Sequence, residues 1–541
     1  MQIWAGIGVA LAALSLLAAC ETPPKKPLGT VGHIEGFFGE VAGDEPTSVR
    51  VAEEVLSAGG TAADAAVAMS FALAATLPSR ASLGAGGICL VRDNPTQATQ
   101  ALEFVPKASS EGAGDSAIPV AIPALPRAMF ALHSKYGRLL WEQLLVPAET
   151  IARRGTPVSA VLAQDLKLAS GILDKDRQAM RMFGREKGGV LGEGETLVQT
   201  DLGILISTLR ANGVGELYDG MLAPAVARRY SEAAQPGNGS ISAKDLAEYQ
   251  PEWADPVTVA FGEDTLSFPP PPSAAGLVAA QMWQMLTEDD RYANASRAER
   301  PHLFAEAAMR AFADRGRWYK PASMDASDYP GIVSADRAKE LMESYSPDHA
   351  TPAASLSPAP VAMPENPSAT SFAIVDHEGS AVACSLTMNN LFGLGRIARG
   401  TGIMMAAAPV KGSAASALLP FLVVNKGGDT VFAAAASGGA AAPTALVNVA
   451  LDALVEDKSL KDAVAAKRVH HNGVPDVVVV EAGVDSATKE SLANLGHKTF
   501  DVESLGTVEA VWCRKGLPRD SDSCQAATDP RGHGAVSKSS Q

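Results

Sequence analysis

From residue 48 to about residue 330 apolar positions recur at helical spacing, interrupted by short apolar runs of strand length. Residues 276–286 (Gly-Leu-Val-Ala-Ala-Gln-Met-Trp-Gln-Met-Leu) and 302–318 read as amphipathic helices. Ala440 to Leu454 is apolar nearly all round, which predicts a helix buried on every side. Between 370 and 450 the pattern changes to strand pairs. The run 371–376 is apolar and β-rich, Asp376-His-Glu-Gly379 reads as a turn, and Ser380 to Met388 pairs back as a second strand. Just upstream, residues 351–367 contain Pro352, Pro358, Pro360, Pro364 and Pro367. Neither a helix nor a central strand tolerates that density, so this segment is predicted to be an exposed loop feeding the hairpin. The whole pattern predicts an α/β layered fold. There is no internal repeat, and the alanine-rich patches read as tight helix packing.

Composition narrows the class. The 541 residues hold 45 Lys and Arg against 60 Asp and Glu, a net charge of −15, with no basic stripe, so nucleic acid is excluded as an expected partner. A hydrophobic content of 47% with 19% charged residues supports a large buried core. At the start, an uncharged apolar run ends in Leu17-Ala-Ala-Cys20. It falls short of the roughly 20 residues a spanning helix needs. The four residues resemble a bacterial lipobox, which implies cleavage before Cys20 and lipidation of its sulfur; a plain signal peptide or a short anchor is the other reading. Residues 20–35 then form a Pro/Lys tether, and the protein is expected in the periplasm, held to a membrane through Cys20. Glu21 after the lipidated cysteine leans toward the outer membrane. Of the other cysteines, Cys513 and Cys524 flank a polar turn-rich loop and could bridge a hairpin in an oxidising compartment. Cys89 and Cys384 sit in apolar strand patterns and read as buried thiols. No Cys/His spacing suggests zinc, and no metal or cofactor is expected.

Several segments in order resemble the γ-glutamyltransferase (glutathione hydrolase) family. Residues 48–68 resemble its opening helix, Gly-Gly turn and buried helix, and Leu83-Gly-Ala-Gly-Gly-Ile88 its glycine-rich turn into a strand. Tyr136-Gly137 with Pro147-Ala148, Gly215 to Gly220, Ile241 to Tyr249, the Pro269 to Gly276 run, Ala305 to Arg315 and Asp529-Pro-Arg531 resemble further elements. His470-His471 resembles a structural Arg-Phe-His-His segment. The resemblance implies the four-layer αββα sandwich of N-terminal-nucleophile hydrolases. It divides the chain into a signal peptide (1–19), a lipidated tether (20–35), a large-subunit-like part (36–350), a Pro-rich loop at the autocleavage region (351–368) and a small-subunit-like part (369–541).

In that family a threonine freed by autocleavage attacks a γ-glutamyl amide, and its own amine takes the proton. A Gly-Gly turn supplies oxyanion N–H groups. Counting back from Ile374-Val375-Asp376 places Ala369 on the nucleophile and Thr370 on the threonine after it. Thr387 falls on the residue that holds the nucleophile, Asn389 on a substrate-side asparagine, Gly438-Gly439 on the oxyanion turn and Ser416 on the first of a Ser-Ser pair whose second is Ala417. Gly438-Gly439 reads equally as a close-packed strand-to-helix turn. Thr387 and Asn389 could equally satisfy local backbone groups.

Three family groups are replaced. Ala369 has no hydroxyl. The substrate-binding Arg that follows a strand ending Asp-Phe is absent: here Glu103-Phe104 precedes Val105 and Pro106, and Lys107 is displaced by two residues and is a point charge rather than a planar fork. Ala406-Ala-Ala-Pro-Val-Lys411 stands where the family has its Asn-Asn and the amine-binding Asp, so Lys411 puts a cation near the place of an anion. The residues therefore predict a family member without γ-glutamyl transfer, serving as a binding or scaffold module with an envelope protein as partner. The alternative is a diverged amidase using Thr370, or Ser368, after autocleavage. A one-residue shift turns a strand side chain to the opposite face, so Thr370 is expected to point away from Gly438-Gly439.

Overall fold

The computed structural model describes residues 32–110, 118–234, 237–319, 326–360, 368–409 and 417–537. Two antiparallel sheets form its centre. The first has seven strands in the order Ala535–Val536, Gly39–Gly43, Ala369–Asp376, Ala381–Thr387, Gly86–Asp93, Ala98–Phe104, Glu252–Ala254. The second has six, in the order Cys524–Ala527, Thr507–Leu517, Thr430–Ser437, Leu419–Val424, Asp264–Phe268, Val257–Phe261. Between the sheets lie Ala42, Ala373, Val375, Ala381 and Ala383 from the first and Leu422, Ala433, Ala435 and Val511 from the second. These small side chains let the sheets approach closely, and alternation along each strand sends the next residue to the outer helices.

The outer layers follow from the helical pattern. Helices Pro46–Ser57 and Ala62–Thr76 cover the first sheet, and every residue of the second helix is buried. That helix starts where Thr61 Oγ1 accepts the Asp64 N–H at 3.1 Å and Asp64 Oδ2 accepts the Thr61 N–H at 3.0 Å, a reciprocal cap. Helices Ala274–Thr287, Arg300–Trp318 and Ala442–Ala450 cover the second sheet. The result is the αββα sandwich. The first two of these helices are buried almost all round, rather than amphipathic as their sequence pattern suggested. Further elements pack over their outer faces, and Gln281, polar in the pattern, is buried with its amide donating to Asp314 at 2.7 Å. Both sheets contain strands from before residue 350 and strands from residue 369 onward, so the two parts build one sandwich.

The hairpin expected at 370–388 forms. Asp376 anchors its turn: Oδ1 accepts N–H groups of Glu378 (3.0 Å) and Ser380 (2.9 Å), and Oδ2 accepts that of Ala62 (2.9 Å), fixing the turn to the first-sheet helix. Of the proline-rich loop, residues 351–360 are described and are mostly exposed.

The cysteines require a correction. Cys89 and Cys384, read from sequence as buried thiols, are disulfide-bonded. They are direct cross-strand partners with Cα atoms 4.1 Å apart, and a sequence separation of 295 hid that register in the sequence. The bond joins the part before the proline-rich loop to the part after it. Cys513 and Cys524 are also bonded, across the end of the Thr507–Leu517 strand. Cys20 and residues 1–31 lie outside the described residues. Among the described residues no helix is long and apolar enough to cross a membrane.

Candidate functional site

Ala369 opens its strand directly opposite Thr387, and the pairs Ala369–Thr387, Ser371–Ser385 and Ala373–Ala383 share the face turned toward the second sheet. Across the gap, Ser385 Oγ donates to the Ala436 carbonyl at 3.2 Å and accepts the Leu419 N–H at 3.3 Å. These bonds hold the end of the Thr430–Ser437 strand, and the Gly438-Gly439 turn after it, at the same end of the sandwich as Ala369. The cluster around Ala369 is small and apolar. Ala369 is 5% exposed and packs with Ile88, Leu418 and the half-buried Val105. Ser273, from the proline-rich 269–276 run, donates to the Leu418 carbonyl at 2.6 Å and fixes that side chain's strand.

Each neighbour of Ala369 is committed to packing or to backbone. Thr387 Oγ1 accepts the Asn389 N–H at 2.8 Å and lies 3.4 Å from Ser368 Oγ. Asn389 has φ +65°, a left-handed conformation that asparagine tolerates better than most residues. Gly438 has φ +123°, and a Cβ there would fall 2.5 Å from Gly506 Cα, so close packing alone demands glycine. Ala406, Ala407 and Ala408 are fully buried; Ala407 N donates to Met388 O at 3.1 Å, which sets this segment against the end of the Thr387 strand. Lys411 and Ser416 lie outside the described residues.

Lys107 is engaged on the surface, where its ammonium pairs with Glu252 at 2.5 Å. Glu103 is the register partner of Glu252. Burial, then the Glu252 charge, push its carboxyl up to about 8. A folded-state value above the unfolded one means the folded protein holds the proton longer. Stability is therefore full below the usual glutamate value and falls as pH rises toward about 8. Glu103→Gln should flatten that loss, measured as melting temperature from pH 5 to pH 8.

Thr370 points the other way, on the face with Phe372 and Ile374 that packs on the helices. It is fully buried, and its hydroxyl donates to Asp44 Oδ2 at 2.8 Å, while the same oxygen accepts the Ser371 N–H at 2.9 Å. Glu509 lies beside Asp44, and burial followed by the Asp44 charge raises its carboxyl well above the usual range. Thr370→Val should cost about 1–3 kcal/mol in urea unfolding, because Asp44 then loses one of its buried donors.

A second group of polar side chains comes together far from Ala369 in sequence. His302 Nδ1 lies 2.7 Å from His497 Nε2, and Glu306 Oε1 lies 3.9 Å from the same nitrogen. These three could offer ligand atoms to a metal ion. Each already has protein partners: His302 Nε2 bonds Ser346 O at 2.8 Å, and Glu306 Oε1 accepts the Thr351 N–H at 2.9 Å while Oε2 takes Arg310. Burial, followed by the His302 charge, pushes His497 down to about 4, so its ring is neutral. The arrangement is a satisfied network tying the 344–351 segment to the Arg300–Trp318 helix. No sequence spacing could have shown it, since His302 and His497 are 195 residues apart.

The family model described as Gamma-glutamyltranspeptidase matches residues 48–408 and 406–539. The chain belongs to the γ-glutamyltranspeptidase family. It is 28% identical to the glutathione hydrolase proenzyme of Escherichia coli K12, over 93% of this chain and 94% of that protein. It is 28% identical to the glutathione hydrolase proenzyme of Pseudomonas aeruginosa, over 98% and 97% of the two chains. Among solved structures, a cephalosporin acylase from Bacillus halodurans superposes with a TM-score of 0.77 at 22% identity, covering 98% of this chain and 99% of the acylase, a likeness of fold. Helicobacter pylori γ-glutamyltranspeptidase superposes with a TM-score of 0.53 at 26% identity, covering 57% of this chain and 93% of that one. Within this γ-glutamyltranspeptidase sandwich, Ala369 opens the strand on which sequence counting places the family's nucleophile.

Proposed function

We propose that this chain is a γ-glutamyltranspeptidase-family protein that does not perform γ-glutamyl transfer or glutathione hydrolysis, and that serves as a binding or scaffold module at a bacterial envelope membrane. The observation that carries the reading is Ala369, in an apolar cluster with Ile88 and Leu418 where the attacking hydroxyl would stand. A methyl group can neither attack an amide carbonyl nor drive the self-cleavage that would free a terminal amine as base. The carboxylate clamp is replaced by Val105, and Lys107 is spent on Glu252. The names of the relatives suggest glutathione as substrate, and the groups that would hold and cut it are the ones changed. Thr370 is a poor substitute nucleophile, since its hydroxyl is buried against Asp44 on the opposite face of the strand. The envelope address rests on Leu17-Ala-Ala-Cys20 and the Pro/Lys tether.

The test is hydrolysis of γ-glutamyl-p-nitroanilide by the purified mature chain, alongside Thr370→Val and Ala369→Thr. Background rates are expected for the wild type, and also for Ala369→Thr, which restores a hydroxyl without the clamp. Turnover that Thr370→Val abolishes would reverse the reading. For the address, Cys20→Ser should move the expressed protein from the membrane fraction to the soluble one, and an unchanged distribution would reject lipidation.

A further inference from the structure

A cavity of 540 Å³ opens in the second half of the chain, and none of its lining residues belongs to the region around Ala369. It lies between the start of the Arg300–Trp318 helix, the Ser486–Asn494 helix and the Ala442–Ala450 helix, which continues as a π-helical turn over Leu451–Val455. The volume falls within the range of small-molecule sites, and π-helical turns recur at such sites. Its apolar wall is made by Phe304, Tyr292, Val469 and Val484.

The charged lining gives the cavity a chemistry. Arg300 is neutralised by Glu456 at 2.6 Å and Lys458 by Asp452 at 2.6 Å. Asp485 spends its carboxylate on the Thr488 N–H (2.8 Å) and hydroxyl (2.9 Å). Arg297 and Lys467 remain, exposed on the cavity and in no ion pair among the described residues. Gly483, at φ +91°, keeps room for the Lys467 stem, since a Cβ there would lie 3.1 Å from Lys467 Cε. Two unpaired cations over an apolar cavity contrast with a chain whose net charge is −15.

We propose that this cavity binds an apolar carboxylate of the size of an N-acylated apolar amino acid, either free or as the carboxy-terminal residue of a polypeptide. The carboxylate meets Arg297 and Lys467, and the hydrocarbon side chain lies against Phe304, Val469 and Val484. Both parts of the ligand answer groups on the cavity wall. The inference is independent of whether the Ala369 region retains any activity.

Titration calorimetry of the full mature chain with N-acetyl-L-phenylalanine tests it. Saturable binding is expected, weakened at least about tenfold when the carboxylate is replaced by a carboxamide, and weakened similarly in Arg297→Glu/Lys467→Glu. Both residues are exposed, so the variant should keep its melting temperature. An acetylated pentapeptide ending in phenylalanine separates the sources. Binding as tight as the amino acid or tighter points to a polypeptide terminus, and loss of binding points to the free compound. The proposal is overturned if no saturable heat appears up to about 10 mM, if the carboxamide binds equally well, or if the charge-reversed variant keeps its affinity.

Discussion

Asp529→Ala should destabilise the protein by about 3–5 kcal/mol, read as a fall in unfolding free energy in urea. Asp529 is buried, and Oδ2 takes Arg468 at 2.6 Å and the Val508 N–H at 2.9 Å while Oδ1 takes Arg531 at 3.0 Å. Arg468 is itself fully buried and donates to the carbonyls of Leu505 and Gly506 at 3.0 Å each. Removing the carboxylate strands a guanidinium in the interior, which costs far more than the pair contributes. The consequence reaches the Ala369 region, because Gly506 is the residue against which Gly438 packs. The Asp529-Pro-Arg531 motif is thus a structural clamp behind the Gly438-Gly439 turn. A loss below about 1 kcal/mol would show that the network is redundant.

The second large effect concerns the bond between the two parts of the chain. Cys89→Ala/Cys384→Ala should cost about 2–5 kcal/mol, since the disulfide closes a very long loop and constrains the unfolded chain strongly. Both cysteines are fully buried, and alanine at each removes side-chain volume as well. Reductant should have little effect on the folded protein until it unfolds. The same bond has a practical consequence. A chain cut anywhere between Cys89 and Cys384 stays in one piece until reduced, so an unreduced gel cannot distinguish a cleaved protein from an intact one.

Much of the Ala369 region was legible because its residues lie on one hairpin. The hairpin was readable from its apolar strands and its Asp376 turn, and strand alternation placed Thr370 on the far face, where Asp44 receives it. Val105 follows a strand separated by two others from that of Ala369 in the sheet, and it borders the same apolar cluster. What fills the space was not legible. Ile88 and Leu418 come from strands remote in sequence, and nothing local to either marks it as a neighbour of Ala369. The Cys89–Cys384 bond and the His302–Glu306–His497 network were hidden for the same reason: each depends on a long-range register that periodicity does not encode. The two helices over the second sheet misled differently. Gln281 resembles a solvent-facing position, but its partner is a buried aspartate rather than water.

The central claim, a family fold whose catalytic chemistry has been removed, is tested most directly by intact mass and N-terminal sequencing of the mature protein after full reduction. A single unbroken chain, without hydrolysis of γ-glutamyl amides, is the predicted result. Two chains, the smaller beginning at Ser368 or Thr370 and accompanied by γ-glutamyl hydrolysis, would contradict it.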